Sequence, residues 1–449
     1  MKEISIIILS AGKGTRMQSN LPKVLHKIAG REMLNMVIDE AKKLHPENIS
    51  VVISSEIESF THFIKNQHSN TTLDFILQTE RKGTGHAVNI AVKNFNPNLK
   101  LHKKVLILYG DTPLISAETL KKMLEKLQNN SVCILGFDDD EPNNYGRLVI
   151  NDEGNLDKIV EFKDANETER KIALCNSGVI GVDGEILPHL LSQINNDNVA
   201  GEYYLTDIVA IANSQGLRCT FIKTHKNEVL GVNSRVELAN LETIKQKQIR
   251  QKMMENGVTL ISPKTVHFNY DTIVANDVTI HPNVVFGAKV KIESGVEIKS
   301  FCHIEDAEIK SQSIIGPFAR IRPGTTINKN VHIGNFVEIK KSQIGEGTKI
   351  NHLSYIGDSI IGTNSNIGAG TITCNYDGFN KYQTIIGDNV FIGSNTALVA
   401  PIIIEANAII GAGSVITKNV TENDLALTRS EQRNISNGAI KFRQQKKPK

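Results

Sequence analysis

Apolar residues in the last third of the chain recur every six positions. They fall at Val274, Ile280, Phe286, Ile292, Ile298 and Ile304. The count restarts at Ile315 and runs through Ile321, Ile327, Ile333 and Ile339, then restarts at Ile386 and reaches Ile416 through Ile392, Leu398, Ile404 and Ile410. Helices repeat near 3.6 residues and strands at 2, so neither alone gives a period of six. A parallel β-helix of hexapeptides does. Three hexapeptides close one triangular coil, with the aliphatic residue pointing into a narrow core. A single coil cannot bury that core, so coils must stack. The pattern breaks over 369–384, AGTITCNYDGFNKYQT, which is too polar and aromatic for a regular coil. An insertion in a solenoid usually maps to one face, often the binding face.

The first half has a different rhythm. Apolar runs at 4–9, 50–53, 105–108, 132–137 and 217–221 read as strands. Stretches 33–44, 86–92 and 117–128 have helical spacing. Strand–helix alternation predicts a Rossmann-like α/β domain, a mostly parallel sheet with helices on both faces. Residues 236–256 lack Gly and Pro and form a predicted linker helix ending near Gly257. The expected organisation is therefore an α/β domain over 1–235, a linker helix over 236–256, and a left-handed parallel β-helix over 257–449.

Composition narrows the function classes. A chain of 449 residues suits two or three domains, and a hydrophobic content of 40% supports real cores. The net charge of +3 gives no general attraction to nucleic acid. The basic tail KFRQQKKPK lacks aromatic residues and reads as a solvated end. Cysteines 133, 175, 219, 302 and 374 show no metal-like spacing, and their odd number without a leader-like start suggests a reducing cytoplasm. No apolar stretch approaches the roughly 20 residues needed to span a bilayer.

The first candidate chemistry follows the strand at 4–9. The loop SAGKGTRM carries Gly12 and Gly14, which let backbone approach a ligand closely, and it leads toward a helix whose amides can hold phosphate. Lys13, Arg16 and Lys23 add positive charge. Neither the P-loop pattern nor the dinucleotide GxGxxG pattern is present. The ordered series does carry a resemblance: LSAGKGTRM, LPK, Gln78, GTGHA (83–87), YGD (109–111), NYGR (144–147), IVEFKDA (159–165), NSG (176–178) and GVNSR (231–235). It resembles the sugar-phosphate nucleotidylyltransferases across the whole first half. Such transfer joins two anions, so catalysis is mainly positioning and charge stabilisation by cations. The resemblance implies Mg²⁺ held by Asp111 and Asn233, with Arg16 and Lys23 against the phosphates. It implies that Gln78, Gly83 and Thr84 read uracil beside the backbone of Ala11 and Gly12. Leu9, Ser10, Tyr109 and Gly110 complete the UTP-binding set, and Gly146, Glu161 and Asn176 hold the sugar. Ser10 departs from the alanine expected there.

The second candidate chemistry lies in the β-helix, at ARIRPG (319–324), NFVEIKK (335–341), NHLSYIGD (351–358) and NIGAGTITCNYDGFNK (366–381). A solenoid needs few reactive side chains, so this clustering is informative. These segments resemble the acetyltransferase half of the bifunctional N-acetylglucosamine-1-phosphate uridylyltransferase/glucosamine-1-phosphate N-acetyltransferase family. An amino-sugar ammonium must lose a proton before it can attack a thioester, and histidine is the natural base near neutrality. The resemblance makes His352 that base. It places Arg322 and Lys340 on the sugar phosphate and Tyr355 and Asn366 on the sugar. Asn375 and Tyr376 in the insertion, with Ala369, Ser394, Ala412 and Arg429, would contact acetyl-CoA. Cys374 reads as a bystander thiol. The family reading implies a cytoplasmic homotrimer with acetyltransferase sites between subunits. Its partners would be small molecules rather than nucleic acid or membrane, and it would supply precursors of cell wall and lipid A. The alternatives are a single-function sugar-phosphate nucleotidylyltransferase with a structural or regulatory β-helix, and a non-enzymatic trimeric scaffold.

Overall fold

The computed structural model describes residues 4–94, 102–141 and 143–446. The chain divides into two compact units, Met1–Gln246 and Lys247–Lys449, and the division falls inside the helix Arg235–Glu255.

The first unit is built on a nine-stranded sheet. Its main path runs Cys219–Lys223, Val132–Asp138, Leu174–Asp183, Lys104–Tyr109, Ile4–Leu9, Asn48–Ile53 and Leu73–Leu77. All neighbours on this path are parallel except Leu174–Asp183, which is antiparallel to both of its partners. Ile4–Leu9 lies between two parallel strands and is buried along its whole length. That explains its nearly continuous apolar run, interrupted by the buried Ser5, since a strand covered on both faces shows no alternation. The five expected strands and three expected helices are present with ends shifted by a few residues. The helix expected at 86, for example, begins at Thr84.

Leu174–Asp183 went unrecognised in the sequence. Its NSG segment and Gly181 interrupt the apolar pattern, and the pairing with Val132–Asp138 is irregular between Asn176 and Ile180. A bulge of this kind redirects a side chain, and a glycine inside a strand often marks one. An antiparallel hairpin, Arg147–Ile150 and Leu156–Val160, leaves the main path beside it.

The second unit consists of short parallel strands in three stacked sheets of ten, eight and eight strands, the left-handed parallel β-helix. One ladder runs Ile280, Ile298, Ile315, Ile333, Ile350, Ile367, Ile392 and Ile410. Successive coils therefore advance by 17 or 18 residues, and 17-residue coils are why the count of six restarts. The single long step, from Ile367 to Ile392, holds the insertion. The insertion is shorter than expected. Asn366–Ile367 and Ile372–Cys374 still pair as coil strands, so the excursion starts after Cys374 and ends before Thr384. Thr373 takes an inward position in line with Ile356 and Leu398 and is buried there. Its hydroxyl is satisfied by the carbonyl oxygens of Tyr355 and Gly357, at 3.3 Å each, which makes a polar atom tolerable in this core. Beyond the coils, Gly438–Gln445 forms a largely exposed helix that includes most of the basic tail.

Candidate functional sites

In the first unit the C-terminal ends of the parallel strands open into a cleft of about 290 Å³. Ligands collect at strand ends in open α/β sheets. Ten of the expected residues line the cleft: Leu9, Ser10, Ala11, Gly12, Lys23, Gln78, Gly83, Thr84, Tyr109 and Asp111. Val24, Val52, Arg81, Ala87 and Glu202 also line it and were not foreseen. Gly83 is the N-cap of the helix Thr84–Lys93, and in the first turn the Gly85 N–H donates to the Tyr203 carbonyl at 2.8 Å. The Gln78 carboxamide lies 3.2 Å from His86 Nδ1, a partner one helical turn beyond the cap.

Gly110 is not among the residues lining the cleft, but it adjoins Ser10, which is. Gly110 donates its backbone N–H to Leu9 at 3.0 Å. A Cβ at Gly110 would lie 2.2 Å from Ser10 Oγ, so a side chain there requires the Ser10 hydroxyl to move. Ser10 is buried and its hydroxyl has no hydrogen-bond partner among the described residues.

Asp111 and Asn233 converge on a single cation. Both accept hydrogen bonds from the Lys23 ammonium, that to Asn233 Oδ1 being 3.0 Å long. A carboxylate and an amide oxygen drawn to one positive charge form a donor pair that suits a hard cation, the remaining ligands coming from water and phosphate. Among the described residues no group of three or more His, Cys, Asp or Glu is placed to hold a metal by itself. Asn233 is fixed by the start of the next helix. Ser234 Oγ accepts from Glu237 N at 3.2 Å, and the Glu237 carboxylate accepts from the backbone of Asn233 and Ser234, a capping box. Arg235 then reaches the Met17 carbonyl at 3.2 Å and tethers the GKGTRM turn. Arg16 sits on that turn, exposed and outside the cleft lining.

Tyr109 joins the cleft to the expected sugar residues. Burial pushes its phenol well above the ordinary tyrosine range, and the charges of Glu161 and Asp111 add to the effect. Asn176 donates its backbone N–H to the Gly146 carbonyl at 2.8 Å. A Cβ on Gly146 would lie 3.4 Å from a Glu161 carboxylate oxygen, so the three sugar residues are contiguous. The Glu161 carboxylate accepts from Thr206 Oγ1 at 3.1 Å. Burial nevertheless raises its pKa, and the carboxylates of Asp164 and Asp207 push the same way.

In the β-helix the expected residues fall into two groups. The first occupies one corner. Gly370, Asn395 and Gly413 donate their N–H groups to the carbonyls of His352, Ala369 and Ser394 at 3.3, 2.7 and 2.8 Å, and Arg429 Nη1 donates to the Ala412 carbonyl at 3.1 Å. His352, Ala369, Ser394, Ala412 and Arg429 thus follow one another along a single corner. His352 is exposed, and its Nδ1 lies 2.9 Å from Asn335 Oδ1.

The second group lies on the adjoining sheet. Arg322 and Lys340 follow paired strand positions in successive coils. Arg322 Nη1 donates to Glu338 at 2.7 Å, and Lys340 Nζ lies 3.9 Å from Asp358. Asn375 donates to the same Asp358 carboxylate, which therefore links the insertion to the lysine. Tyr355 stands on this sheet between them. Asn366 is on the neighbouring sheet, paired with Lys349 and Phe391. Tyr376 is exposed in the insertion and donates to Gly378 O at 2.6 Å. Asn335, Glu338 and Asp358 were not foreseen as site residues, although each lies in a singled-out motif. Burial raises the Cys374 thiol pKa, which disfavours a reactive thiolate there.

Comparison with known proteins agrees with both halves. Residues 6–231 match the family of MobA-like NTP transferase domains, and residues 304–409 match the GMPPB C-terminal domain. The bifunctional protein GlmU of Zymomonas mobilis subsp. mobilis is 49% identical over 454 residues, covering 100% of this chain and 99% of that protein. The bifunctional protein GlmU of Paramagnetospirillum magneticum is 47% identical, with coverages of 100% and 98%. That of Bartonella quintana is 44% identical, with coverages of 99% and 98%.

Proposed function

The chain belongs to the family of the bifunctional protein GlmU, and from that premise we propose which residues carry each of its two reactions. The enzyme transfers an acetyl group from acetyl-CoA to glucosamine 1-phosphate. It then transfers a uridylyl group from UTP to N-acetylglucosamine 1-phosphate and releases pyrophosphate. Relatives that match over the full length leave no room for a merely structural β-helix.

Uridylyl transfer belongs to the first unit. The observation that carries this assignment is the convergence of Lys23, Asp111 and Asn233 at the cleft. Asp111 and Asn233 would hold Mg²⁺, which when bound neutralises phosphate charge. Lys23, freed from those oxygens, and Arg16 turn to the phosphates. Gln78, Gly83 and Thr84 bind the uracil end, while Gly146, Glu161 and Asn176 bind the sugar. A sugar-phosphate oxygen attacks the α-phosphorus, and the bond to the departing pyrophosphate breaks in line.

Acetyl transfer belongs to the β-helix. His352 takes the proton from the sugar ammonium at Nε2, the freed amine attacks the thioester carbonyl, the C–S bond breaks, and the departing CoA sulfur takes up the remaining excess proton of the nitrogen to leave as the free thiol. Arg322 and Lys340 hold the sugar phosphate, and Tyr355 and Asn366 hold the ring. The corner running through Ala369, Ser394, Ala412 and Arg429 supports the long acetyl-CoA molecule, with Asn375 and Tyr376 beside it.

The working form is a homotrimer. Phe301, Phe318 and Phe336 stack along one corner with ring centroids 4.8 and 5.1 Å apart, all of them exposed and all at positive φ. Leu353 continues the row in the same conformation. Bulky apolar residues exposed at left-handed positions are costly, and contact with a partner explains them. Two further copies of this chain are the partner, and closed cyclic packing suits such prisms. Phe336 and Leu353 directly follow Asn335 and His352, so the contact borders the acetyltransferase site. No helix among the described residues is long and apolar enough to cross a membrane, and we place the enzyme in the cytoplasm with its substrates.

Supplying glucosamine 1-phosphate, acetyl-CoA, UTP and Mg²⁺ and identifying the product tests the whole reading. UDP-N-acetylglucosamine with one free thiol and one pyrophosphate per turnover is the expected result.

A further inference from the structure

We infer that Asn335 is a positioning residue for acetyl transfer, fixing the tautomer and orientation of His352. The inference rests on the reading of His352 as the base.

Asn335 and His352 end two neighbouring parallel strands, His332–Asn335 and Lys349–His352, and are paired with each other in that register. Leu353 donates its N–H to the Asn335 carbonyl at 3.0 Å, so backbone pairing fixes the two residues side by side. The side chains repeat the link, with Asn335 Oδ1 lying 2.9 Å from His352 Nδ1. An amide oxygen only accepts, so Nδ1 must carry the hydrogen. In the neutral ring the lone pair then resides on Nε2, the nitrogen turned away from Asn335. A base oriented by a fixed acceptor on its other nitrogen is the arrangement that general-base histidines need.

The surroundings leave this task to Asn335. On the strand holding His352 the other charged group is Lys349, opposite His332 on the flanking strand. The strand on the other side contributes Asn366 and Ile367, and Ala369 and two glycines follow it. Glu338, beyond the next bend, is engaged with Arg322. Asn335 is neutral, so it orients the ring without holding a proton on Nε2.

Three variants assayed for thiol release across pH test the inference, with uridylyl transfer as the folding control. Asn335→Ala should lower kcat for acetyl transfer roughly tenfold, the scale on which a partner that orients a working histidine acts, and leave KM for glucosamine 1-phosphate nearly unchanged. Asn335→Asp keeps the acceptor and adds a negative charge that favours the protonated ring. Its acid limb of kcat should move upward by about one pH unit, with the rate recovered above it. His352→Ala should abolish most of the acetylation. If His352→Ala stays active, the base assignment itself fails. If His352→Ala is inactive but Asn335→Asp leaves the pH profile in place, the base stands and the role given to Asn335 is wrong.

Discussion

Asn233 Oδ1 accepts a hydrogen bond from Lys23 Nζ at 3.0 Å across 210 residues of sequence. Asp111 accepts from the same ammonium, so residues from three distant motifs meet at one charge. If these two oxygens hold Mg²⁺ on the phosphates, Asp111→Asn removes the only full negative charge of the pair. Pyrophosphate release should fall by at least about 10²-fold, the cost of losing a major electrostatic group. Thiol release from acetyl-CoA should stay near normal because it belongs to the other unit. An equal loss of both activities in a folded variant would show that Asp111 has a different role.

Glu161 offers a test through pH. Burial holds its carboxyl above the usual carboxylate range, and Asp164 and Asp207 push it further. A raised carboxyl pKa means that the folded protein prefers the protonated form. Its contribution to stability is present in full at low pH and is lost as pH rises through the raised value. Glu161→Gln should therefore melt higher than the parent at neutral pH, and the gap should close as pH falls toward the range where Glu161 itself protonates. The same variant should raise KM for N-acetylglucosamine 1-phosphate by roughly tenfold or more, through loss of a charged hydrogen bond. A lower melting temperature at pH 7 would contradict the unfavourable burial, and an unchanged KM would remove Glu161 from the sugar site.

How much of this was legible in the sequence depends on the kind of contact. The strand Ile4–Leu9 stands out because burial on both faces leaves an apolar run interrupted only by Ser5. The coil core stood out because Ile280, Ile298 and Ile315 obey a short period. The strand Leu174–Asp183 was hidden because its bulge and glycines, the features that aim Asn176, erase the strand pattern. The motifs led to the residues that gather at the cleft, but partners set by coil length were out of reach. Asn335 meets His352 and Lys340 meets Asp358 only because neighbouring coils are 17 or 18 residues long, and the six-residue count does not reveal where a coil is one residue short.

Gly357 is a position where an added side chain must push on two residues of the acetyltransferase site. A Cβ there would lie 2.6 Å from the Tyr355 hydroxyl and 2.7 Å from Asn375 Nδ2. Both neighbours are assigned to substrate, and Asn375 is also held by Asp358. Gly357→Ala should therefore displace one of them and reduce acetyl transfer by roughly 10²-fold, the effect of moving a positioned group by about 1 Å. Uridylyl transfer should be untouched. Near-normal acetylation by this variant would mean that Tyr355 and Asn375 do not jointly shape the site.

The row of Phe301, Phe318 and Phe336 provides the test of assembly. Each ring is exposed in one chain, and each backbone adopts a conformation that a bulky residue avoids. Phe318 stacks on both neighbours, so a charge placed there disturbs the whole row. It is also outside the coil core, so Phe318→Glu removes exposed apolar surface rather than core packing. Burying an unpaired carboxylate between subunits is costly, whereas exposing it on a monomer is not. Sedimentation should accordingly show the parent as a trimer and Phe318→Glu as monomers. If acetyltransferase sites form between subunits, thiol release should fall with the loss of trimers while pyrophosphate release from supplied N-acetylglucosamine 1-phosphate continues. A monomeric Phe318→Glu protein with full acetyltransferase activity would rule out the shared site. A variant that stays trimeric would place the subunit contact on another face of the prism.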